Sequence, residues 1–372
     1  MAVKAQDLKS EQIDNVLSIV ESRLDKKTAS DAGKFVRQFY ERPSPEDVTS
    51  VLPEYLYGAA LSLYKFAATR LPGTTKLRVF TPDLEEHGWK TTHSVIEIVN
   101  DDMPFLVDSV TAALNSRGLT VHQVIHPVVY VERDKEGNRI RTLDAEPSGK
   151  SSALRESMMH VEIDEQSDPA ILLDIEKNLN SVLADVRIAV ADWKPILSKV
   201  DAIRDGLKKN PPPLDQGEID EAQALLQWMS DNHFTFLGYR EFEFASDGKG
   251  KSDRWGLVEG SGLGILRDPS RRIMSGSMEM SPEVKDFLRR RELVIVTKAN
   301  VRSTVHRAVH LDYVGVKKFN KKGEVIGECR FTGLFTSAAY NRIPRDIPYL
   351  RRKVSQTLEM TGFAKHSHDE KA

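Results

Sequence analysis

His122 and His126 stand four residues apart, and His306 and His310 repeat the spacing. Paired histidines invite a metal reading. On strands, alternation puts both members of such a pair on one face but about 13 Å apart, and ligands at Zn–N distances of about 2 Å cannot span that gap. Structural roles are therefore expected for all four, and His366 and His368 stand on a polar tail with no packing pattern. Gly260-Ser261-Gly262-Leu263-Gly264 has the glycine density of a phosphate-cradling loop. A dinucleotide fingerprint, however, needs glycine at its sixth position and a helix to follow. Here Ile265 holds that position within a β-rich stretch, so a bend or bulge is expected. The nucleophile pattern G-x-S-x-G is absent from this segment. Cys329 is the single cysteine, which excludes an internal disulfide, and no paired base identifies it as a nucleophile. Basic clusters such as Arg289-Arg290-Arg291 and Arg351-Arg352-Lys353, with the pairs Arg271-Arg272, Lys317-Lys318 and Lys321-Lys322, are spread over several elements. No nucleic-acid module accompanies them, and a nucleic-acid partner is not expected. These residues assign no catalytic constellation and no metal site.

These residues stand in an ordinary folded chain. Its 372 residues are 40% hydrophobic and 29% charged, with a formal net charge of -2. The length suggests two or three domains. No apolar run approaches the roughly 18 residues of a membrane span, and the N-terminus lacks the apolar core of a signal peptide. A soluble, cytoplasmic protein is expected, with no membrane partner. The balance hides an asymmetry: residues 251–372 carry 24 basic and 14 acidic side chains, and residues 1–250 carry 29 and 41. Solvated faces of two domains account for it most simply.

Residues 1–75 read as a helical lead-in: Ile13, Val16, Leu17, Val20 and Leu24 repeat at helical spacing, and Ser44-Pro45-Glu46-Asp47 is a helix start. Residues 76–209 change grammar. Ser94 to Val99 reads as a strand, Asn100-Asp101-Asp102-Met103-Pro104 turns into a helix with an apolar stripe from Leu106 to Leu114, and Gly118 suits its C-cap. Val121 to Arg133 reads as one long strand, followed by a hairpin at 134–138, a flexible stretch at 148–152 and a strand from Glu156 to Asp164. A long helix opens at Ser167-Asp168-Pro169. Asn210-Pro211-Pro212-Pro213 reads as a linker into a second domain, residues 210–343, which holds a short helix from Glu218 to Ser230 and then mostly strands. Phe234 to Phe244 and Trp255 to Leu266 come first. A polar helical stretch at 281–291 separates them from a meander of Leu293 to Arg307, Val309 to Phe319 and Glu324 to Thr336. Residues 344–372 complete the reading as a helix from Pro344 to Met360 and a truncated tail. The first domain reads in the order β-α-β-β-β-α, its short third strand following the hairpin, and the fold class expected is α+β: this mixed domain behind the helices, then a second α+β domain with an antiparallel sheet.

Asp102-Met103-Pro104-Phe105-Leu106-Val107-Asp108-Ser109, continued through Val110, Leu114, Gly118 and Val121, resembles the first half of an ACT domain. ACT domains are small βαββαβ modules that bind amino acids and other small effectors, usually by pairing with another copy. The sequence departs from the pattern at Phe105, where effector-binding members carry glycine. The wording of this segment is similar to the first ACT segment of the large bacterial NAD-specific glutamate dehydrogenases. Phe35-Val36-Arg37-Gln38-Phe39-Tyr40, Phe234-Thr235-Phe236-Leu237-Gly238-Tyr239-Arg240 and Gly260 to Leu266 are similar to further blocks of that family, in the same order. The resemblance implies a non-catalytic regulatory and assembly region. The parent chain would oxidise L-glutamate to 2-oxoglutarate and ammonia with NAD, which this part would not itself bind. It implies as partners the rest of the parent chain and further copies in a homo-oligomer. The alternative class is a free-standing amino-acid-sensing or adaptor protein. By element order alone, the second domain is similar to a PAS-type sensor fold. If an amino-acid effector binds, the expected site is the turn Asn100-Asp101-Asp102, where backbone N–H groups ahead of a helix favour a carboxylate and the aspartates could hold an ammonium.

Overall fold

The computed structural model of the chain describes residues 2–146, 152–244, 255–271 and 288–361. The flexible stretch at 148–151, most of the polar helical stretch at 281–291, Arg272, and the tail with His366 and His368 lie outside the described residues. Two compact units divide the chain, Met1–Ala184 and Asp185–Ala372.

The first unit opens with helices α1 (Ala2–Arg23), α2 (Lys26–Phe39), α3 (Pro45–Thr49) and α4 (Pro53–Phe66). The Ser44 start signal holds: its Oγ accepts from the Asp47 N–H at 3.2 Å, with Pro45 in the first turn. Asp25 caps α2 in the same way through the N–H groups of Lys27 and Thr28. The apolar stripe of α2 buries Phe35, Val36 and Phe39 against Ala60 and Leu63 of α4. The same core takes in Val99, Ile125, Val129, Val131 and Met158 from the strands, so the helical lead-in covers the sheet. Full burial of each such side chain contributes roughly 1.5–3 kcal/mol.

That sheet comprises β1 (Lys76–Phe80), β2 (His93–Asp101), β3 (Val121–Ile125), β4 (Val128–Arg133), β5 (Arg139–Thr142) and β6 (Leu154–Asp164), with α5 (Leu106–Ser116) between β2 and β3. Every pairing is antiparallel in the order β1-β2-β6-β4-β5, with β3 also on β6. The strand expected over 121–133 is two strands. Pro127 has no N–H to give to a ladder, and its carbonyl accepts from Met158 N–H instead. Helix α6 (Pro169–Lys209) follows β6 and runs on for about 60 Å at 1.5 Å per residue. Among the described residues no later strand joins this sheet, and β1 flanks β2 at its edge. The register sets Val95 against Glu162, Glu97 against His160, Val99 against Met158 and Asp101 against Glu156. Val99 and Met158 belong to the helix-covered core, so alternation turns Glu97, His160 and Glu162 to that same face.

The second unit begins inside α6, because Ile196 and Val200 of that helix share a core with Ile219, Leu225 and Leu226 of α7 (Gln216–Trp228). The triple proline at 211–213 does end α6, but compact packing changes at residue 184. The sheet of this unit comprises β7 (Phe234–Phe244), β8 (Trp255–Leu257), β9 (Leu263–Gly264), β10 (Val294–Arg302), β11 (His310–Phe319) and β12 (Val325–Phe335). Its order is β10-β11-β12-β7-β8 with β9 on β7, all antiparallel. Phe236, Tyr239, Val314, Val316 and Phe331 fill its core. The strand expected over 255–266 is the short pair β8 and β9, and the one over 293–307 ends at Arg302. The helix expected from Pro344 is a 3-10 turn at Pro344–Asp346, with α8 (Ser337–Tyr340) before it and α9 (Leu350–Thr361) after it. Tyr349 interrupts the run with a left-handed backbone, φ 68°.

Candidate functional site

The turn at the C-terminal end of β2 was the site expected from sequence. Asn100 is buried and its Oδ1 accepts from Thr75 Oγ1 at 2.9 Å. Asp101 accepts from Arg70 at 2.9 Å and from the Gly73 N–H. Asp102 pairs with Arg155 at 2.9 Å. Arg70 is itself buried, and it shares the buried Glu156 with Arg133, at 2.7 Å each. The two aspartates are thus held by arginines from neighbouring segments, and a ligand ammonium would have to displace one. Phe105 adopts φ 73°, ψ 2° immediately before α5, the left-handed region that glycine occupies without strain.

The expected histidine pairs are drawn apart. His122 Nε2 lies 2.8 Å from Asp164, whereas His126 Nε2 meets Ser157 Oγ at 2.7 Å. Burial pushes the His126 imidazole below its ordinary range. His310 Nδ1 lies 3.0 Å from the Ala299 carbonyl, and His306 sits in a connecting turn with φ 68°. No group of His, Cys, Asp or Glu among the described residues has the geometry of a metal site. The structure brings together other groups instead. His93 Nδ1 lies 2.9 Å from Glu162, His160 Nε2 lies 3.4 Å from the other oxygen of Glu162, and the His93 and His122 rings lie 4.4 Å apart. Burial pushes Glu162 up, but its contacts to His160 and His93 outweigh this and hold it below the usual carboxylate range. The Thr120 N–H, with His122, holds Asp164 down at about 2. Sequence reasoning missed His93, His160 and Glu162. The available signal was the polar alternation His160, Glu162, Asp164 within an apolar strand, which shows that one face of β6 is not a plain core.

In the second unit, the glycine-rich loop is structural. Gly264 has φ 59°, and a Cβ there would stand 2.1 Å from the Leu237 carbonyl oxygen. The Gly264 N–H donates to Asp192 Oδ2 at 2.6 Å, and Arg240 reaches across to the carbonyls of Leu266 and Arg271. An aspartate occupies the place of a phosphate and only a turn follows β9, so the loop does not fit a dinucleotide. Cys329 is buried, which pushes its thiol up and away from nucleophilic use. The basic clusters are largely spent on local partners. Lys318 meets Glu241 at 2.6 Å, Arg351 meets Glu221 at 2.7 Å and Arg352 meets Asp215 at 2.9 Å.

The comparisons with known proteins agree with this geometry. Residues 35–179 match the family described as glutamate dehydrogenase, ACT1 domain, and residues 347–372 match glutamate dehydrogenase, helical motif 1. The chain is 38% identical over 355 residues to the NAD-specific glutamate dehydrogenase of Halomonas elongata, covering 95% of this chain and 22% of that protein. It is 36% identical over 334 residues to the Pseudomonas aeruginosa enzyme of the same name, covering 90% and 20%. With the Mycobacterium tuberculosis enzyme of that name it shares 28% over 275 residues, 71% of this chain and 15% of that one. The chain thus spans about a fifth of the length of the Halomonas elongata and Pseudomonas aeruginosa proteins. With an ACT1 domain in its first unit and helical motif 1 in its second, the chain belongs to the family of the large NAD-specific glutamate dehydrogenases.

Proposed function

We propose that this chain is a non-catalytic regulatory and assembly region of an NAD-dependent glutamate dehydrogenase. The parent chain converts L-glutamate and NAD to 2-oxoglutarate, ammonia and NADH; NAD binds elsewhere in the parent and not in these residues. The observation that carries the reading is the Gly264 loop. The glycine-rich segment Gly260–Gly264 is clasped by Asp192, and no other described segment offers strand, glycine turn and helix in sequence. The ACT1 match favours a regulatory module.

The partners in this reading are the rest of the parent chain and further copies of it. Strand β10 supports this, since it ends its sheet and exposes Val296 and Val301 along an edge. Near it an apolar groove of about 730 Å³ runs past Trp228, Phe335, Tyr340 and Tyr349. A cytoplasmic location belongs to the same reading; no helix of the described residues is long and apolar enough to cross a membrane. The test is to incubate the purified chain with L-glutamate and NAD and follow NADH, beside the full-length protein. NADH formation by the full-length protein alone is expected. Turnover by this chain would overturn the proposal.

A further inference from the structure

The pairing of β10 with β11 fixes which of its backbone groups are spent. The Leu293 carbonyl accepts from the Lys317 N–H at 2.9 Å, and Ile295 and Thr297 follow at the same alternation, opposite Gly315 and Tyr313. In an antiparallel ladder such residues give their N–H and C=O groups to the neighbouring strand, so Val294, Val296 and Lys298 turn theirs to the open edge. Tyr349 bears out the parity, because its hydroxyl donates to the Val294 carbonyl at 2.7 Å. The Val296 N–H and C=O and the Lys298 N–H have no such partner among the described residues.

Folded proteins commonly blunt an open edge with a charge or a proline. Lys298 is the charge on this stretch, and it is turned away from the edge: its ammonium lies 2.6 Å from Asp312 of β11 and 3.2 Å from the Tyr340 hydroxyl. The apolar groove of about 730 Å³ runs along the same stretch, since Ile295, Val296 and Thr297 line it in succession. Val296 shares its face of the sheet with the buried Val294, so a strand added opposite Val296 would set alternate side chains toward Trp228 and Phe335. Arg342 lines the groove too; it is exposed, and its side chain makes no hydrogen bond or ion pair among the described residues. A free edge N–H and C=O, an apolar lining and an unspent guanidinium together fit an extended peptide that carries an acidic side chain.

The open stretch is short. Tyr349 closes it at Val294, and the register with β11 slips between Lys298 and Arg302. Separate proteins that associate stably bury roughly 1,200–2,000 Å², which a strand over 295–298 does not approach. A segment tethered in the same polypeptide meets the groove at about millimolar effective concentration and needs far less contact. This chain covers 22% and 20% of the lengths of two relatives, so a parent of that size carries most of its residues outside it. We propose that the groove seats an extended segment of the same parent polypeptide, from outside these 372 residues, which adds a strand to β10 and sets an acidic side chain at Arg342. The proposal rests on the reading of this chain as one region of a longer protein, and names what covers its open edge.

Hydrogen exchange resolved to single amides tests it, on the full-length protein beside the purified chain. Val296 and Lys298 are expected to exchange more slowly in the full-length protein by about tenfold or more, the slowing reached when nine molecules in ten hold the contact. Ile295 and Thr297, bonded to β11 in both, are expected to change little. Arg342→Gln in the full-length protein makes the comparison within one folded molecule. It is expected to remove most of that slowing, since one lost charge-assisted contact weakens binding by about tenfold. Equal rates at Val296 in the two proteins would overturn the site. Slowing spread evenly over all four amides would mean cover without pairing, and would overturn the added strand. Slowing that disappears on dilution would give the groove to a second copy or a separate protein, and would overturn the tethered segment. NADH formation tests the dehydrogenase reading separately, and either result can fail while the other stands.

Discussion

The Gly264 N–H donates to the Asp192 carboxylate at 2.6 Å, tying the glycine-rich loop to helix α6 within the second unit. The approach works only because Gly264 has no side chain: its backbone is left-handed and its Cβ position lies 2.1 Å from the Leu237 oxygen. Gly264→Ala is expected to destabilise the chain by roughly 2–4 kcal/mol, combining backbone strain with overpacking. Urea unfolding followed by circular dichroism measures it. A change below the fitting error would mean that the loop has room to move.

Phe105 offers a comparison that separates backbone from packing. Alanine and glycine both remove its ring, but only glycine accepts φ 73° without strain. Phe105→Gly is expected to be more stable than Phe105→Ala by about 1 kcal/mol. The difference in urea midpoints reads this directly, and equal midpoints would show that the turn relaxes.

Glu156 joins two arginines in the first unit, and its side chain and those of Arg70 and Arg133 are at most 1% exposed. Glu156→Leu would leave two buried guanidinium groups with their main acceptor gone. A loss of roughly 3–5 kcal/mol is expected, the range for breaking a buried pair from one side. Thermal unfolding of the variant beside Glu156→Gln, which keeps one acceptor oxygen, checks the cause. The glutamine variant is expected to lie between the other two.

Acid sensitivity follows from Glu241. Burial pushes its carboxyl up, but Lys318, Tyr239 and Lys199 overcome this and hold it at about 2 in the folded chain. A carboxyl depressed on folding adds stability above its unfolded value near 4.5, and loses it as pH falls toward about 2. The slope of stability against pH in this window is expected to be shallower in Glu241→Gln than in the parent sequence. Denaturant midpoints at several pH values measure it, and parallel slopes would remove Glu241 as a cause.

What the sequence made legible was local. The cap at Ser44, the apolar stripe of α5 and each strand of the β10–β12 meander announce themselves within a dozen residues, and each stands in the structure. Strand β1 was not legible, because Lys76–Phe80 is a strand only by pairing with β2 across a long connection. The place where the packing divides was hidden for a related reason. A run of prolines marks where a helix must stop, whereas the change of core inside α6 depends on what Ile196 and Val200 touch. At the Asn100–Asp102 turn the carboxylates were visible, but the arginines that hold them, Arg70 and Arg155, lie far off in sequence. The alternation of His160 and Glu162 along β6 marks a polar face, but Glu97 joins them only through the β2–β6 register.

The most direct test of the central claim is to remove residues 1–361 from the full-length protein and measure glutamate-dependent NAD reduction together with mass by light scattering. A non-catalytic regulatory and assembly region predicts that the shortened protein still reduces NAD while its assembly state or its response to small effectors changes. Complete loss of NAD reduction in a shortened protein that remains folded and assembled like the full-length one would contradict it.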